Sequence, residues 1–94
     1  MRLLAAARQD IERAVLWYET AHAGLGDEMR IELDLALARV SALPATAPVW
    51  IEDRRYHAVH LARFPYSVFL RKREREWIVV ALTHQKRRPG HWKR

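Results

Sequence analysis

The chain has no cysteine among its 94 residues, which excludes disulfides and thiolate metal sites. No apolar run approaches the roughly 20 residues that cross a bilayer as a helix. The apolar part of Met1–Arg8 is too short for a convincing signal peptide. Internal repeats and low-complexity tracts are also lacking. We therefore expect one cytoplasmic domain over residues 1–94 with no membrane partner. A domain of this size is near the lower limit at which a hydrophobic core is stable without disulfides or a bound metal.

The chain is rich in positive charge, and this charge is unevenly distributed along the sequence. The formal net charge is +6. Residues 1–62 carry seven Lys/Arg against nine Asp/Glu, whereas residues 63–94 carry ten against two. This asymmetry indicates an acidic partner, either nucleic acid or an acidic protein segment. A solvated basic tail is the alternative interpretation.

Helical periodicity runs through the first half of the chain. One helix face with i, i+3, i+4, i+7 spacing is formed by Ile11, Ala14, Val15, Tyr18 and His22. Gly24 and Gly26 end this pattern, and a second helix is predicted from near Asp27 until Pro44 stops it. Two helices joined by so few residues should form an antiparallel hairpin.

The second half changes to runs that are rich in β-branched and aromatic residues. These runs predict strands at 56–63, 66–71 and 77–83, with residues 72–75 as a hairpin tip. Residues 1–4 are a candidate for a further short strand. Residues 49–51 are either an edge strand or a loop that fills a gap.

The order of these elements predicts the α+β class. We expect an N-terminal helical hairpin packed on one face of a small antiparallel sheet, followed by a basic C-terminal tail. The run 77–82 is apolar at every position, which is typical of a central strand covered by helices. The other sheet face is expected to be partly open, and such a face beside a basic tail is a natural docking surface.

Four segments in the right order resemble the RelE/ParE superfamily of type II toxins. They are Asp10–Glu19 in the first helix, Gly24–Glu28 in the link, the Arg63–Arg71 strand and the ending Leu82–Trp92. The resemblance implies a growth-inhibiting toxin of the plasmid-stabilization kind. It also implies a cognate antitoxin whose acidic, partly disordered segment masks the toxin, which agrees with the charge asymmetry. A disordered acidic segment can wrap a large basic surface while it folds.

The superfamily contains two mechanisms: RelE-like members are ribosome-dependent mRNA endonucleases, and ParE-like members poison DNA gyrase without catalysis. On the nuclease interpretation, His84, Lys86 and Arg87 are the catalytic candidates. However, Ser67 stands where these nucleases carry a second arginine, and Trp92 stands near their tail tyrosine. The nucleases' lysines before the middle strand correspond only loosely to Arg54 and Arg55, or to His57.

The sequence His84-Gln85-Lys86-Arg87 is more similar to the ending of ParE-like members, so gyrase poisoning is our expectation and ribosomal mRNA cleavage the alternative. A nucleic-acid-binding module, suggested by charge alone, ranks last. The candidate partner-binding residues are Arg63, Arg71, Lys86, Arg87, Arg88 and Trp92. Trp92 is interpreted as an interface anchor among charges, with base stacking as its alternative role.

No metal and no cofactor is expected. His57 and His60 are three residues apart on a strand and therefore point to opposite faces of the sheet. His84 and His91 are accompanied by no carboxylate or further histidine. Trp50 and Trp77 are assigned to packing.

Overall fold

The computed structural model describes residues 1–88 and 90–93, so Pro89 of the tail motif lies outside the described residues. The first helix, α1, spans Ala5–Ala21, and the second, α2, spans Leu25–Ala42. They form the predicted hairpin. A single 3₁₀ turn, Pro44–Thr46, follows α2. Within the described ranges, neither helix is long and apolar enough to cross a membrane.

The link between the helices depends on two glycines and one carboxylate. Gly24 has a φ of 91°, in the left-handed region that favours glycine. The Glu19 carboxylate accepts the backbone N–H groups of Gly24 at 2.8 Å and Gly26 at 3.0 Å. It thereby satisfies donors that the start of a helix leaves free. Because this cap comes from α1, α2 begins at Leu25, earlier than the Asp27 expected from the sequence.

The sheet has the strand order β1-β4-β3-β2. β1 spans Arg2–Leu3, β2 His57–His60, β3 Tyr66–Arg73 and β4 Glu76–His84. β2, β3 and β4 form an antiparallel meander, whereas β1 runs parallel to β4. The α+β class and the helical hairpin are confirmed, but the sheet is mixed rather than wholly antiparallel. The reason is that the two helices lie between β1 and the meander, so β1 reaches β4 by a crossover.

Three local details differ from the strand predictions. The hairpin tip predicted at 72–75 is confined to residues 74–75, because Lys72 and Arg73 extend β3 and pair with Trp77 and Glu76. Val49 forms only an isolated bridge with His57, so residues 49–51 are a loop. β2 is shorter than predicted because the chain turns after His60, where the Leu61 N–H donates to the Tyr66 carbonyl at 2.9 Å.

The core lies between the helices and one face of the sheet. Its helical side is formed by Ala7, Ile11, Ala14, Met29, Leu33, Leu37 and Val40, and its sheet side by Val68, Leu70, Trp77, Val79 and Leu82. The alternation along β3 directs Val68 and Leu70 to this core and leaves Ser67 and Phe69 for the opposite face. We call that opposite side the open face.

Carboxylates of both helices accept hydrogen bonds from backbone N–H groups in β4 and in the loop between β2 and β3. Asp10 of α1 accepts the Leu82 N–H at 3.2 Å. Glu32 of α2 accepts the N–H groups of Ala62 at 2.5 Å and Arg63 at 3.2 Å. These bonds fix the hairpin to the sheet and satisfy donors that would otherwise be open to strand pairing.

Candidate functional site

Two rows of side chains cross the open face. Ser67 on the middle strand pairs with His60 of β2 and with Thr83 of β4. Two residues further along β3, Phe69 pairs with Ala58 of β2 and Ala81 of β4. Opposite residues on adjacent strands share a face, so the sheet presents a polar row beside an apolar row.

The polar row continues into the C-terminal tail. The Oγ of Ser67, which is only 3% exposed, lies 2.5 Å from Nδ1 of His60. At the other end of the row, Thr83 Oγ1 lies 2.6 Å from Nε2 of His91. The Arg87 guanidinium is 3.3 Å from His91 Nδ1. We call His60, Ser67, Thr83 and His91 the polar row.

The neighbours of His91 define its tautomer. A guanidinium can only donate, so Arg87 donates to Nδ1, and the Nε2–H of His91 donates to the Thr83 hydroxyl. Burial, together with the nearby Arg87 charge, lowers the pKa of His91, and Asp10 opposes this shift. The arrangement therefore favours a neutral His91.

The apolar row is covered by an aromatic cluster, which we define as Trp50, Tyr56, Phe69 and Trp92. The Trp92 ring centroid lies 4.9 Å from those of Tyr56 and Phe69 and 5.9 Å from that of Trp50. The small Ala58 and Ala81 flank Phe69 and leave room for these rings. Aromatic pairs at such separations contribute roughly 0.5–1.5 kcal/mol each beyond area burial.

Trp92 belongs to residues 90–93, which we call the strap. Gly90 has a φ of 77° where the strap begins. The Lys93 ammonium lies 3.1 Å from Asp53 and 5.4 Å from the Trp50 ring centroid. The Trp92 indole N–H is buried and has no hydrogen-bond partner among the described residues. Such a donor costs about 1–3 kcal/mol.

A cleft of about 520 Å³ opens between the polar row and the aromatic cluster. Arg87 and Arg88 lie on its wall, both exposed, and neither forms an ion pair with any residue in the described ranges. The remaining lining residues are Trp50, Glu52, His60, Leu61, Ser67, Phe69, Thr83, His84, Gln85 and Gly90. The cleft can therefore accept an anionic group at its arginines and an apolar group at Trp50 and Phe69.

The structure does not bring the predicted site residues together in one place. His84, Arg87 and Arg88 line the cleft, whereas Lys86 is exposed just outside it. Arg63 is paired with Glu28 of α2 at 2.5 Å, and its guanidinium also lies over the Phe64 ring. Arg71 is half-buried toward the hairpin end of β3, away from the cleft lining. Trp92 lies in the aromatic cluster.

His84 has a defined local role. Its Nδ1 accepts the Lys86 backbone N–H at 3.0 Å, and its ring lies edge-on to Tyr66 at 5.2 Å. These contacts hold the end of β4 where the basic tail begins. His57 is likewise held: its Nδ1 lies 2.9 Å from the Ala47 carbonyl, and its ring packs against Trp77.

Sequence reasoning missed His60 and His91 as site residues. A signal for His60 was present, because antiparallel pairing of the two predicted strands puts one β2 side chain opposite Ser67 on the open face. No comparable signal existed for His91, since its position depends on how the tail folds back. In the described part of the chain, no group of three or more potential ligands could hold a metal ion.

No protein-family model and no curated protein matches the chain. The resemblance to the RelE/ParE superfamily therefore rests on the four sequence segments alone.

Proposed function

We propose that this protein is a growth-inhibiting toxin of the RelE/ParE type that binds and poisons DNA gyrase in the cytoplasm. In the resting state it is neutralised by a cognate antitoxin through an acidic, partly disordered segment. The observation that carries this proposal is Ser67 at the centre of the open face. The RelE-like nucleases carry an arginine at the position that corresponds to Ser67.

A cation at that position would stabilise the negative charge that develops on a phosphate during RNA cleavage. Ser67 supplies none, and its hydroxyl is already engaged with His60. The cations of the cleft are confined to one wall, at Arg87 and Arg88. This distribution suits contact with an acidic protein surface better than it suits a charge-neutralising catalytic centre.

The exposed basic side chains at the end of β4 support a protein-binding role. Lys86, Arg87 and Arg88 are all exposed, and none has an acidic partner among the described residues. Such a cluster accelerates association with an acidic partner and selects against basic ones. Both the antitoxin segment and an acidic surface of the target would meet this requirement.

The test is a supercoiling assay with purified gyrase and the full chain. We expect inhibition by the wild type and weaker inhibition by Arg87→Ala and Arg88→Ala. Arg30→Ala is the matched control, because Arg30 is equally cationic and exposed but lies on α2. Full supercoiling activity at a large excess of folded wild-type protein would refute the proposal.

One observation favours mRNA cleavage as a second candidate function. His60 and His91 lie at the two ends of the polar row, and Arg87 contacts His91. Cleavage through the 2′-hydroxyl needs a base, an acid and a cation, and these three side chains are of the required types. On this hypothesis they replace His84 and Lys86 as the catalytic candidates.

The second candidate is tested by mapping transcript ends on ribosomes after induction. It predicts cleavage within translated codons that is abolished by His60→Gln and by Arg87→Ala. Intact transcripts in cells that express the wild type and stop growing would refute it.

A further inference from the structure

We propose that the aromatic cluster is a docking pocket for an aromatic side chain of an acidic, extended partner segment, and that Trp92 of the strap is the pocket's resting occupant. The acidity of that segment rests on the proposed function, which supplies an acidic antitoxin. The pocket itself follows from contacts that do not depend on the protein's activity.

The pocket is built by residues outside the strap. Its floor is Phe69, and its walls are Trp50 and Tyr56. The walls are fixed by backbone hydrogen bonds: Trp50 N–H donates to the Tyr56 carbonyl at 2.9 Å, and Ala58 N–H donates to the Pro48 carbonyl at 3.0 Å. A pocket held in this way keeps its shape when the strap leaves it.

The strap is held by ring contacts of Trp92 and by polar contacts of His91 and Lys93, all of which an incoming acidic segment with an aromatic residue could replace. The hydrogen bond between His91 and Thr83 is exposed, whereas the Lys93 ammonium binds an Asp53 side chain that is only 11% exposed. Water can replace either partner of the exposed hydrogen bond between His91 and Thr83, so that contact contributes little to stability. The Trp92 indole N–H gains no partner from residues 1–88 and 90–93 on burial. Gly90, where the strap begins, has a positive φ, and glycine can change this backbone conformation at low cost.

The chemistry around the pocket defines the ligand. The pocket opens into the cleft through Trp50 and Phe69, which belong to both. Arg87 and Arg88 line that cleft, and Glu52 is the one carboxylate among its described lining residues. An aromatic ring in the pocket would therefore place neighbouring carboxylates of the same segment beside two arginines that form no ion pair with any described residue. An acidic segment with one aromatic residue fits both features.

The experiment uses the full chain and a short capped peptide in which one phenylalanine is flanked by glutamates. Two control peptides replace the phenylalanine by alanine or the glutamates by lysines. Calorimetry should show binding that is about tenfold or more tighter for the first peptide than for either control. Amide exchange should show faster exchange in residues 90–93 when that peptide binds. Equal binding of all three peptides would overturn the proposal.

Variants of the strap test whether Trp92 competes for the pocket. Trp92→Ala empties the pocket and should tighten binding of the phenylalanine peptide several-fold, because the competent state becomes more populated. Lys93→Gln removes the ion pair with Asp53 and the cation–π contact with Trp50 but leaves Trp92 in place, so it should act in the same direction to a smaller extent. Trp17→Ala is the control, since Trp17 is exposed on α1 and lies outside the pocket.

Unchanged or weaker peptide binding in both strap variants would overturn the proposal. Circular dichroism shows whether Trp92→Ala is folded, and Lys93→Gln decides the question if it is not. The supercoiling assay is independent of these measurements. A chain that inhibits gyrase but shows no peptide-induced opening of the strap would refute this inference and leave the proposed function standing.

Discussion

Gly26 of α2 packs directly against the backbone of α1, and substituting it tests the packing of the hairpin. A Cβ added at Gly26 would lie 2.6 Å from the Val15 carbonyl oxygen and 2.9 Å from atoms of the Glu19 side chain. The first of these atoms belongs to the backbone of α1, so it cannot move without displacing the helix. Gly26→Ala must therefore push α1 and α2 apart.

The magnitude follows from three contributions. Overpacking of this kind costs about 1–3 kcal/mol. Displacement of Glu19 also weakens the two hydrogen bonds that cap α2, each worth about 1 kcal/mol. Alanine returns at most about 1 kcal/mol through its higher helix propensity. We expect Gly26→Ala to lower the free energy of unfolding by about 2–3 kcal/mol in urea denaturation.

The control for this prediction is the neighbouring glycine. A Cβ at Gly24 meets no atom within 4 Å, so only its positive φ matters there. Asparagine tolerates that conformation, and Gly24→Asn should change stability by less than about 1 kcal/mol. Wild-type stability of Gly26→Ala would refute the reasoning, because the helices could not then be in contact at this point.

Three further predictions concern the sheet and the strap. Ser67→Ala removes the hydrogen-bond partner of the His60 ring and should lower the free energy of unfolding by about 1 kcal/mol. Gyrase inhibition should not change, and its loss at unchanged stability would contradict this prediction. The pKa of His91 is lowered in the folded protein, so folding favours its neutral form. Its stabilisation of the strap is therefore complete above the ordinary histidine pKa of about 6.5, and it is lost as the pH falls through the lower pKa of the folded state. The protection of amides 90–93, taken as the intrinsic exchange rate at each pH divided by the observed rate, should therefore fall on acidification in the wild type and lose this dependence in His91→Gln; equal pH dependence of the protection in both would contradict it. Glu32→Gln weakens the acceptor for the Ala62 and Arg63 N–H groups and should increase proteolytic cleavage of residues 61–65, whereas an unchanged cleavage rate would show that this bond does not hold the loop.

Most of the secondary structure could be predicted because it depends on local patterns. The apolar spacing from Ile11 to Tyr18 identifies the buried face of α1, and alternation along Tyr66–Arg73 identifies the faces of β3. The start of α2 could not be predicted, because its cap is the side chain of Glu19 in the preceding helix. The parallel pairing of β1 likewise depends on contacts between the two ends of the chain.

The candidate site was predicted only in part, for a similar reason. Arg87 is placed beside the cleft by β4, whose pattern is strong enough to predict the strand and the position where its tail begins. Trp50 and Trp92 come from a loop and from the tail, which have no periodic pattern. Their contact with Phe69 arises when both segments fold over two alanines, so the aromatic cluster depends on tertiary packing rather than local sequence.

The two candidate mechanisms share Arg87, so loss of toxicity in Arg87→Ala supports neither over the other. His60 separates them. Its imidazole would exchange a proton in RNA cleavage, whereas an inhibitor that acts by binding needs only its shape and its hydrogen bond to Ser67. Glutamine keeps a polar side chain that can bond to Ser67 but cannot titrate. Growth inhibition that survives His60→Gln therefore favours gyrase binding, whereas its loss in a protein of wild-type stability favours catalysis at the polar row.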